Sequence, residues 1–119
     1  MNALKEKEKD VQRSIMDYLE LTGAFYYRNN SGAFIMPETA THARRFFRAG
    51  AVGSPDIVIV RNGKYIGCEV KGTDGKQSDD QMDFARRLIK AGGEYILARS
   101  LDGFIEQFNA LTKSPNPAP

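Results

Sequence analysis

Three charged side chains stand beside two apolar segments in the stretch GSPDIVIVRNGKYIGCEVKG, which runs from Gly53 to Gly72. Asp56 precedes the first apolar segment, and Glu69 and Lys71 lie at the end of the second. β-Strands favour neither charge type, so these positions call for a chemical reason. Two carboxylates brought together offer the oxygen ligands that Mg²⁺ or Mn²⁺ prefers, here with an amine beside them.

The dipeptide Asn62-Gly63 between the two segments is a strong signal for a two-residue type I′ hairpin turn. In that hairpin, the two residue numbers of each cross-strand pair add up to 125. Asp56 is therefore expected opposite Glu69, with Cβ atoms about 4.5–5.5 Å apart. Lys71 lies on the same face, because side chains alternate along a strand. The opposite face is apolar and belongs in a core, and it consists of Ile57, Ile59, Ile66, Cys68 and Val70.

Two interpretations of this charged group follow from the residues themselves. It is either a half-solvated ion cluster at the end of a sheet, or an oxygen-ligand metal site. Two ionised carboxylates this close repel each other unless a positive charge lies between them. In the second interpretation Asp56, Glu69 and the backbone carbonyl of Val70 bind the cation, and waters complete an octahedron.

The remaining elements are predicted from periodicity, glycines and capping signals. Helices are expected at 4–22, from Ser78 to Gly92, and at 101–111. Strands are expected at 25–27, near 34–35 and 45–48, at 56–60, 64–71 and 95–98. Ser78 and Gln81 match a capping box. The order predicts an α/β protein with a mixed sheet flanked by helices: one domain over 1–112 and a disordered tail at 113–119.

Composition narrows the possible classes. No apolar run approaches the roughly 20 residues of a membrane span, and the charged N-terminus lacks the apolar core of a signal peptide, so we expect a cytoplasmic protein that contacts no membrane. Cys68 is the only cysteine and His42 the only histidine, which excludes a disulfide framework and a Cys/His zinc cluster. Any bound metal must therefore have oxygen ligands.

The net charge of +2 says little about partners, but arginines cluster around Phe46 and Phe47. This cluster consists of Arg44, Arg45 and Arg48. It is either a phosphate-binding surface or an ordinary solvated face.

The sequence resembles the PD-(D/E)XK nuclease superfamily, in which Pro-Asp is followed at an interval by Glu-x-Lys, here Pro55-Asp56 and Glu69-Val70-Lys71. Within it, the chain is similar to the VRR-NUC (virus-type replication-repair nuclease) family over roughly residues 8–106. The resembling pattern comprises Glu8, Gln12, Asn30-Ser31-Gly32, Gly53-Ser54-Pro55-Asp56, Glu69-Val70-Lys71 and Gln81.

This resemblance implies a restriction-endonuclease-like core and a Mg²⁺- or Mn²⁺-dependent DNA endonuclease. Asp56 and Glu69 would bind the metal, and Lys71 would orient or deprotonate the attacking water. Glu8 would be an outer ligand, since it falls on the inward stripe of the first helix, although it could equally lie in solvent at a frayed first turn. Gln81 would position Lys71 or a water as well as capping its helix, whereas Gln12 is expected to be structural.

The expected substrate is branched DNA such as a Holliday junction, recognised by shape. Small members of this family resemble junction-resolving enzymes, which need two active sites and hence a homodimer, and so compact a domain suits a phage or its bacterial host. Expected phosphate contacts are Arg28, Asn30, Ser31, Arg44, Arg45 and Arg48. The alternatives are a catalytically inactive DNA-binding module on the same fold, a restriction- or repair-type duplex endonuclease, and a purely structural ion cluster.

Overall fold

A computed structural model describes residues 7–29, 32–36, 38–41, 43, 45–49 and 51–112. These ranges contain three helices and six strands. In chain order they are α1 (Glu8–Leu21), β1 (Phe25–Arg28), β2 (Gly32–Met36), β3 (Arg45–Ala49), β4 (Ile57–Arg61), β5 (Lys64–Val70), α2 (Asp79–Lys90), β6 (Glu94–Ala98) and α3 (Leu101–Thr112). The expected tail at 113–119 lies outside the described residues.

A four-stranded mixed sheet forms the centre of the fold, with strand order β1-β4-β5-β6. Only the β5–β6 pair is parallel; β1–β4 and β4–β5 are antiparallel. Helices α1 and α3 pack together on one face of the sheet. On the other face Leu88 of α2 approaches Gly67 of β5, so the sheet lies between two helical layers. This arrangement confirms the predicted mixed sheet flanked by helices.

The hydrophobic core lies between the sheet and the layer formed by α1 and α3. From the sheet it includes the five residues predicted to face inward, namely Ile57, Ile59, Ile66, Cys68 and Val70, each at most 3% exposed. The helices contribute Val11, Ile15, Leu19, Phe104 and Phe108. Burying each large apolar side chain stabilises the fold by roughly 1.5–3 kcal/mol, so this layer fixes which face of the sheet points inward.

The β4–β5 hairpin has the predicted register. Arg61 pairs with Lys64 and Ile57 pairs with Cys68, so each pair of numbers sums to 125. Asn62 and Gly63 have φ angles of 54° and 77°, the positive values that a type I′ turn requires at both central positions. The turn therefore sets the register that places the end of β5 beside the start of β4.

Helix α1 begins at Glu8 and not at the predicted residue 4, because Lys7 has extended backbone angles of −78° and 142°. It ends before Gly23, whose φ of 75° confirms the predicted glycine stop. With 14 residues α1 is the longest helix described, and no helix in the described ranges is long and apolar enough to cross a membrane.

Helix α2 has the predicted capping box between Ser78 and Gln81. Its expected apolar face is only partly covered, because Ala85 and Leu88 are half-buried whereas Met82 and Ile89 are 47% and 58% exposed. The predicted strands near 34–35 and 45–48 are also present, as β2 and β3. They pair with each other in a separate two-stranded sheet.

Candidate active site

Asp56 stands at the entrance to β4, where two neighbouring segments fix its position. Its Oδ2 atom accepts a 2.8 Å hydrogen bond from the backbone N–H of Val70, at the end of β5. Its backbone carbonyl accepts a 2.8 Å bond from the N–H of Asn29, just after β1. The Asp56 carboxylate is thus tied to the strand that carries Glu69.

Glu69 is the only charged side chain that is buried among the described residues, with 1% exposure. Its Oε1 atom accepts a 3.0 Å hydrogen bond from Nε2 of Gln81, and its Oε2 atom is buried without a hydrogen-bond partner in the described part of the chain. Burial is the main cause that raises the pKa of Glu69 to about 9, and repulsion from Asp56 adds to it. Without a cation, this carboxyl group therefore tends to keep its proton.

Gln81 connects the capping box of α2 to Glu69. Its Oε1 atom accepts a 2.9 Å bond from the N–H of Ser78, and its own N–H donates a 3.1 Å bond to Oγ of Ser78. Its Nε2 atom is left to orient Glu69. The expected double position, at the cap and facing the site, is observed, but Gln81 contacts Glu69 and not Lys71, because Ser78 and Glu69 use both ends of its amide.

Gly53 allows the loop before Asp56 to pack directly on the first turn of α2. Its φ is 77°, and a Cβ atom there would lie 2.2 Å from the carbonyl oxygen of Asp80 and 2.9 Å from the N–H nitrogen of Gln81. Backbone atoms cannot move away as a flexible side chain can, so only glycine fits. This close approach holds Asp56 and Gln81 near each other.

Asn29 is a site residue that sequence reasoning missed. Its Nδ2 atom donates 3.0 Å bonds to Oγ of Ser54 and to the carbonyl of Pro55, and its backbone N–H donates to Asp56. It therefore holds the three residues that lead into β4. The available signal was an amide side chain directly after a strand, since Asn is suited to bonding nearby backbone groups.

Lys71 follows β5 and is half-buried beside the carboxylate pair. Its N–H donates a 2.9 Å bond to the carbonyl of Ala98, and its positive charge opposes the rise in the pKa of Glu69. Arg99 supports the following turn, because its Nη1 atom donates to the carbonyls of Gly72 and Gly75 at 3.0 and 2.5 Å. No sequence motif indicated this role of Arg99.

Glu8 is the first residue of α1 and is exposed, not inward-facing as its spacing suggested. The buried stripe of α1 starts one turn later, at Val11, so Glu8 extends beyond the core. Its negative charge nevertheless contributes to the raised pKa of Glu69. Glu8 therefore lies within electrostatic reach of the carboxylate pair.

The expected DNA contacts are only partly described. Arg28 is the last residue of β1 and is exposed, and Arg45 and Arg48 lie in β3. Asn30, Ser31 and Arg44 lie outside the described residues. The predicted role of these residues as phosphate contacts stays a prediction.

Two carboxylates form the donor set that the site offers to a divalent cation. No group of three histidine, cysteine, aspartate or glutamate side chains that could hold a metal occurs in the described ranges. Asp56 and Glu69 nevertheless supply two carboxylates, and the buried Oε2 of Glu69 lacks a partner among the described residues. Mg²⁺ commonly binds one or two carboxylates and keeps several waters, so these residues fit it.

A known protein family matches most of the chain. The family model described as the VRR-NUC domain matches residues 6–102 of the 119. A search of curated proteins found no significant match. The family match includes both carboxylates, Lys71 and Gln81.

Proposed function

Since the chain belongs to the VRR-NUC domain family, which has a PD-(D/E)XK-like fold and a nuclease-type, DNA-processing function, we propose that it is a divalent-metal-dependent DNA endonuclease. The proposed reaction is hydrolysis of phosphodiester bonds. DNA is the partner that the family implies, and the metal requirement and the preferred DNA structure are our proposals.

One observation carries the proposal: Glu69 is buried beside Asp56, and its Oε2 atom has no partner in the described part of the chain. A buried acceptor without a partner destabilises a protein by about 1–3 kcal/mol, and more when it is charged. A divalent cation held by Asp56 and Glu69 would offset their negative charge and supply the missing partner. In a purely structural pair, Glu69 would keep its proton and donate it to Asp56 in a hydrogen bond, which also raises the pKa of Glu69, so divalent-ion binding is what separates the two interpretations.

The residues of the chain take separate roles in the proposed reaction. Asp56, Glu69 and the carbonyl of Val70 would hold Mg²⁺ or Mn²⁺. When bound, the cation would supply Lewis-acid chemistry, polarising the phosphate and making water more acidic. Lys71 would orient or deprotonate the attacking water and offset phosphate charge.

Two further residues would support these groups. Gln81 would keep Glu69 oriented through its 3.0 Å hydrogen bond. Glu8, exposed at the start of α1, would hold a water at the edge of the site. Their loss should weaken catalysis without removing the carboxylate pair.

The proposed substrate is branched DNA, such as a Holliday junction, cut by a homodimer. Resolving a junction requires two cuts, and the described part of one chain offers one such carboxylate pair. Arg28, Arg44, Arg45 and Arg48, with Asn30 and Ser31, are the proposed backbone contacts, which read shape and not base sequence. Light scattering at working concentration should give a dimer, and a monomer that still resolves junctions would contradict this part.

The test is cleavage of labelled junctions, flaps and duplexes, with Mg²⁺, with Mn²⁺ and with EDTA. The wild type should cut branched DNA only with metal, and Asp56→Ala should not cut. Binding without cutting under every condition would instead identify an inactive DNA-binding module. Cutting of intact duplex at a defined sequence would identify a restriction- or repair-type enzyme.

A further inference from the structure

A polar groove lies between one side of α1 and the end of β1. It has a volume of about 410 Å³ and is lined by Lys9, Asp10, Gln12, Arg13, Met16 and Arg28. Three of these residues are cationic and one is acidic, and all three cations are exposed. The groove therefore combines positive charges from two separate elements in one concave surface.

The three cations of the groove have no direct acidic partner within the described part of the protein, and Asp10 leaves the groove with a net positive charge. Lys9, Arg13 and Arg28 form no ion pair among the residues that the structure describes. Other basic side chains do have such partners: Lys64 pairs with Glu94, and Arg86 and Arg87 pair with Asp83. The groove thus presents unpaired positive charge, which favours an anionic ligand.

The groove lies at the same end of the sheet as the carboxylate pair. Arg28 pairs with Ile57, so both lie on the face of the sheet that α1 covers, whereas Asp56 and Glu69 lie on the opposite face at the same end of the sheet. The residue after Arg28, Asn29, donates its N–H to the carbonyl of Asp56. At the other wall, Lys9 directly follows Glu8, whose charge acts on Glu69. Each wall of the groove is therefore next in sequence to a residue that acts on the site, and a DNA strand would pass from the groove to the carboxylates around this end of the sheet.

We infer that this groove binds the sugar–phosphate backbone of DNA next to the bond that is cut, with Lys9, Arg13 and Arg28 contacting phosphates. The inference rests on the proposed nuclease function and adds the path of the substrate beyond the site. Lys9 and Arg13 lie one helical turn apart on α1, and Arg28 faces them from β1. Three cations contacting one strand would orient it relative to the carboxylates, independent of base sequence.

The experiment measures how the dissociation constant for a labelled junction and for a duplex depends on salt. All proteins carry Lys71→Ala so that no cutting occurs, and EDTA is present. The groove variant combines Lys9→Gln, Arg13→Gln and Arg28→Gln. The control combines Lys64→Gln, Arg86→Gln and Arg87→Gln, which removes the same net charge from exposed, ion-paired positions.

Each lost phosphate contact should reduce the slope of log K against log salt by about 0.9 on duplex DNA. The groove variant should therefore lose two to three units of slope, and the control less than one. At about 0.1 M salt, that loss corresponds to roughly 100-fold weaker binding for the groove variant. Single variants Lys9→Gln and Arg13→Gln should each lose about one unit. Circular dichroism should show the same helix content in every variant.

Separate outcomes identify which idea fails. An unchanged slope in the groove variant, with normal binding in the parent, overturns the groove and leaves the nuclease function standing. Equal losses in groove variant and control also overturn it, since net charge alone would then explain both. A loss of salt slope in the groove variant but not in the control supports the groove. If the wild type, which keeps Lys71, fails to cut DNA, that result contradicts only the proposed function. No binding by the parent overturns the groove, and cleavage by the wild type with metal still decides the nuclease function.

Discussion

The amide of Gln81 joins the start of α2 to the buried carboxyl group of Glu69. Its Nε2 atom donates a 3.0 Å hydrogen bond to Glu69, and its Oε1 atom accepts a 2.9 Å hydrogen bond from the N–H of Ser78. A helix cap and the orientation of a site residue thus depend on one side chain. Any rotation of this amide would break both bonds at once. The two roles are separable, because they use opposite ends of the amide.

Gln81→Glu should separate the capping role from the site role. A glutamate keeps the oxygen that accepts from Ser78 but has no donor for Glu69. We expect nearly wild-type helix content and cleavage reduced about 10- to 100-fold, the range for losing a residue that orients a metal ligand. Gln81→Ala should lose similar activity and, in addition, about 1 kcal/mol of unfolding free energy through the cap. Wild-type cleavage by Gln81→Glu would remove the site role.

Lys71→Ala should abolish cleavage while leaving folding and DNA binding roughly intact. Loss of a group that moves the proton of the attacking water typically reduces the rate by about 10²-fold or more. The measurement is single-turnover cleavage of a labelled junction, with binding followed in EDTA. Lys76→Ala, an exposed lysine five residues on, is the matched control and should cleave normally. Activity retained by Lys71→Ala in metal-containing buffer would exclude Lys71 from the mechanism.

Glu69→Gln should stabilise the metal-free protein at alkaline pH. Glu69 has a usual pKa of 4.5 when unfolded and about 9 when folded. Between these values the folded state holds a proton that the unfolded state has released, so wild-type stability falls as pH rises and levels off above about 9. At pH 8 in EDTA the variant should be more stable by an amount on the order of 5 kcal/mol, and at pH 4 nearly equal.

Urea denaturation across pH 4–9 checks the Glu69 prediction, and added Mg²⁺ provides a second readout. A cation that binds only the folded state should raise the stability of the wild type but not of Glu69→Gln. A wild-type stability that stays flat or rises through this range in EDTA would contradict the raised pKa.

Asn29→Ala should lower both stability and cleavage. It removes the two bonds from Nδ2 to Ser54 and Pro55 but keeps the backbone bond to Asp56. We expect about 1–2 kcal/mol lower unfolding free energy and weaker divalent-ion binding by calorimetry. Gln107→Ala is the control, since its amide also donates two bonds, to the carbonyls of Leu97 and Gly103. If both variants cleave equally well, Asn29 does not position Asp56.

Gly53→Ala should be far more disruptive than Gly23→Ala. Both glycines have nearly the same φ, 77° and 75°, but a Cβ at Gly23 meets nothing within 4 Å. Gly23→Ala should therefore cost only the strain of positive φ, roughly 1–2 kcal/mol. Gly53→Ala adds a clash with the backbone of Asp80, so we expect a further loss of at least about 1 kcal/mol, by thermal unfolding, together with reduced cleavage. Equal losses would show that the close approach is relaxed in solution.

Much of the fold follows from local signals in the chain. Asn62-Gly63 permits two consecutive positive φ angles, and the alternation of isoleucine, cysteine and valine around it allows one register only. That register makes Ile57–Cys68 the last pair of the ladder, and Asp56 and Glu69 follow it; hydrogen bonds from Val70 and Asn29 then hold Asp56 in place. The stop of α1 at Gly23 and the capping box at Ser78 are local for the same reason: neighbouring residues bond each other.

Contacts between distant segments were decided by the tertiary structure alone. Asn29 reaches Ser54 and Pro55, Arg99 reaches the turn after Lys71, and Gly53 touches α2, all across 24 or more residues of sequence. Such contacts depend on how the helices and strands pack, which no periodicity records. The burial of Glu69 and the exposure of Glu8 arise in the same way, because an element's pattern selects a face but not the depth at which each residue lies.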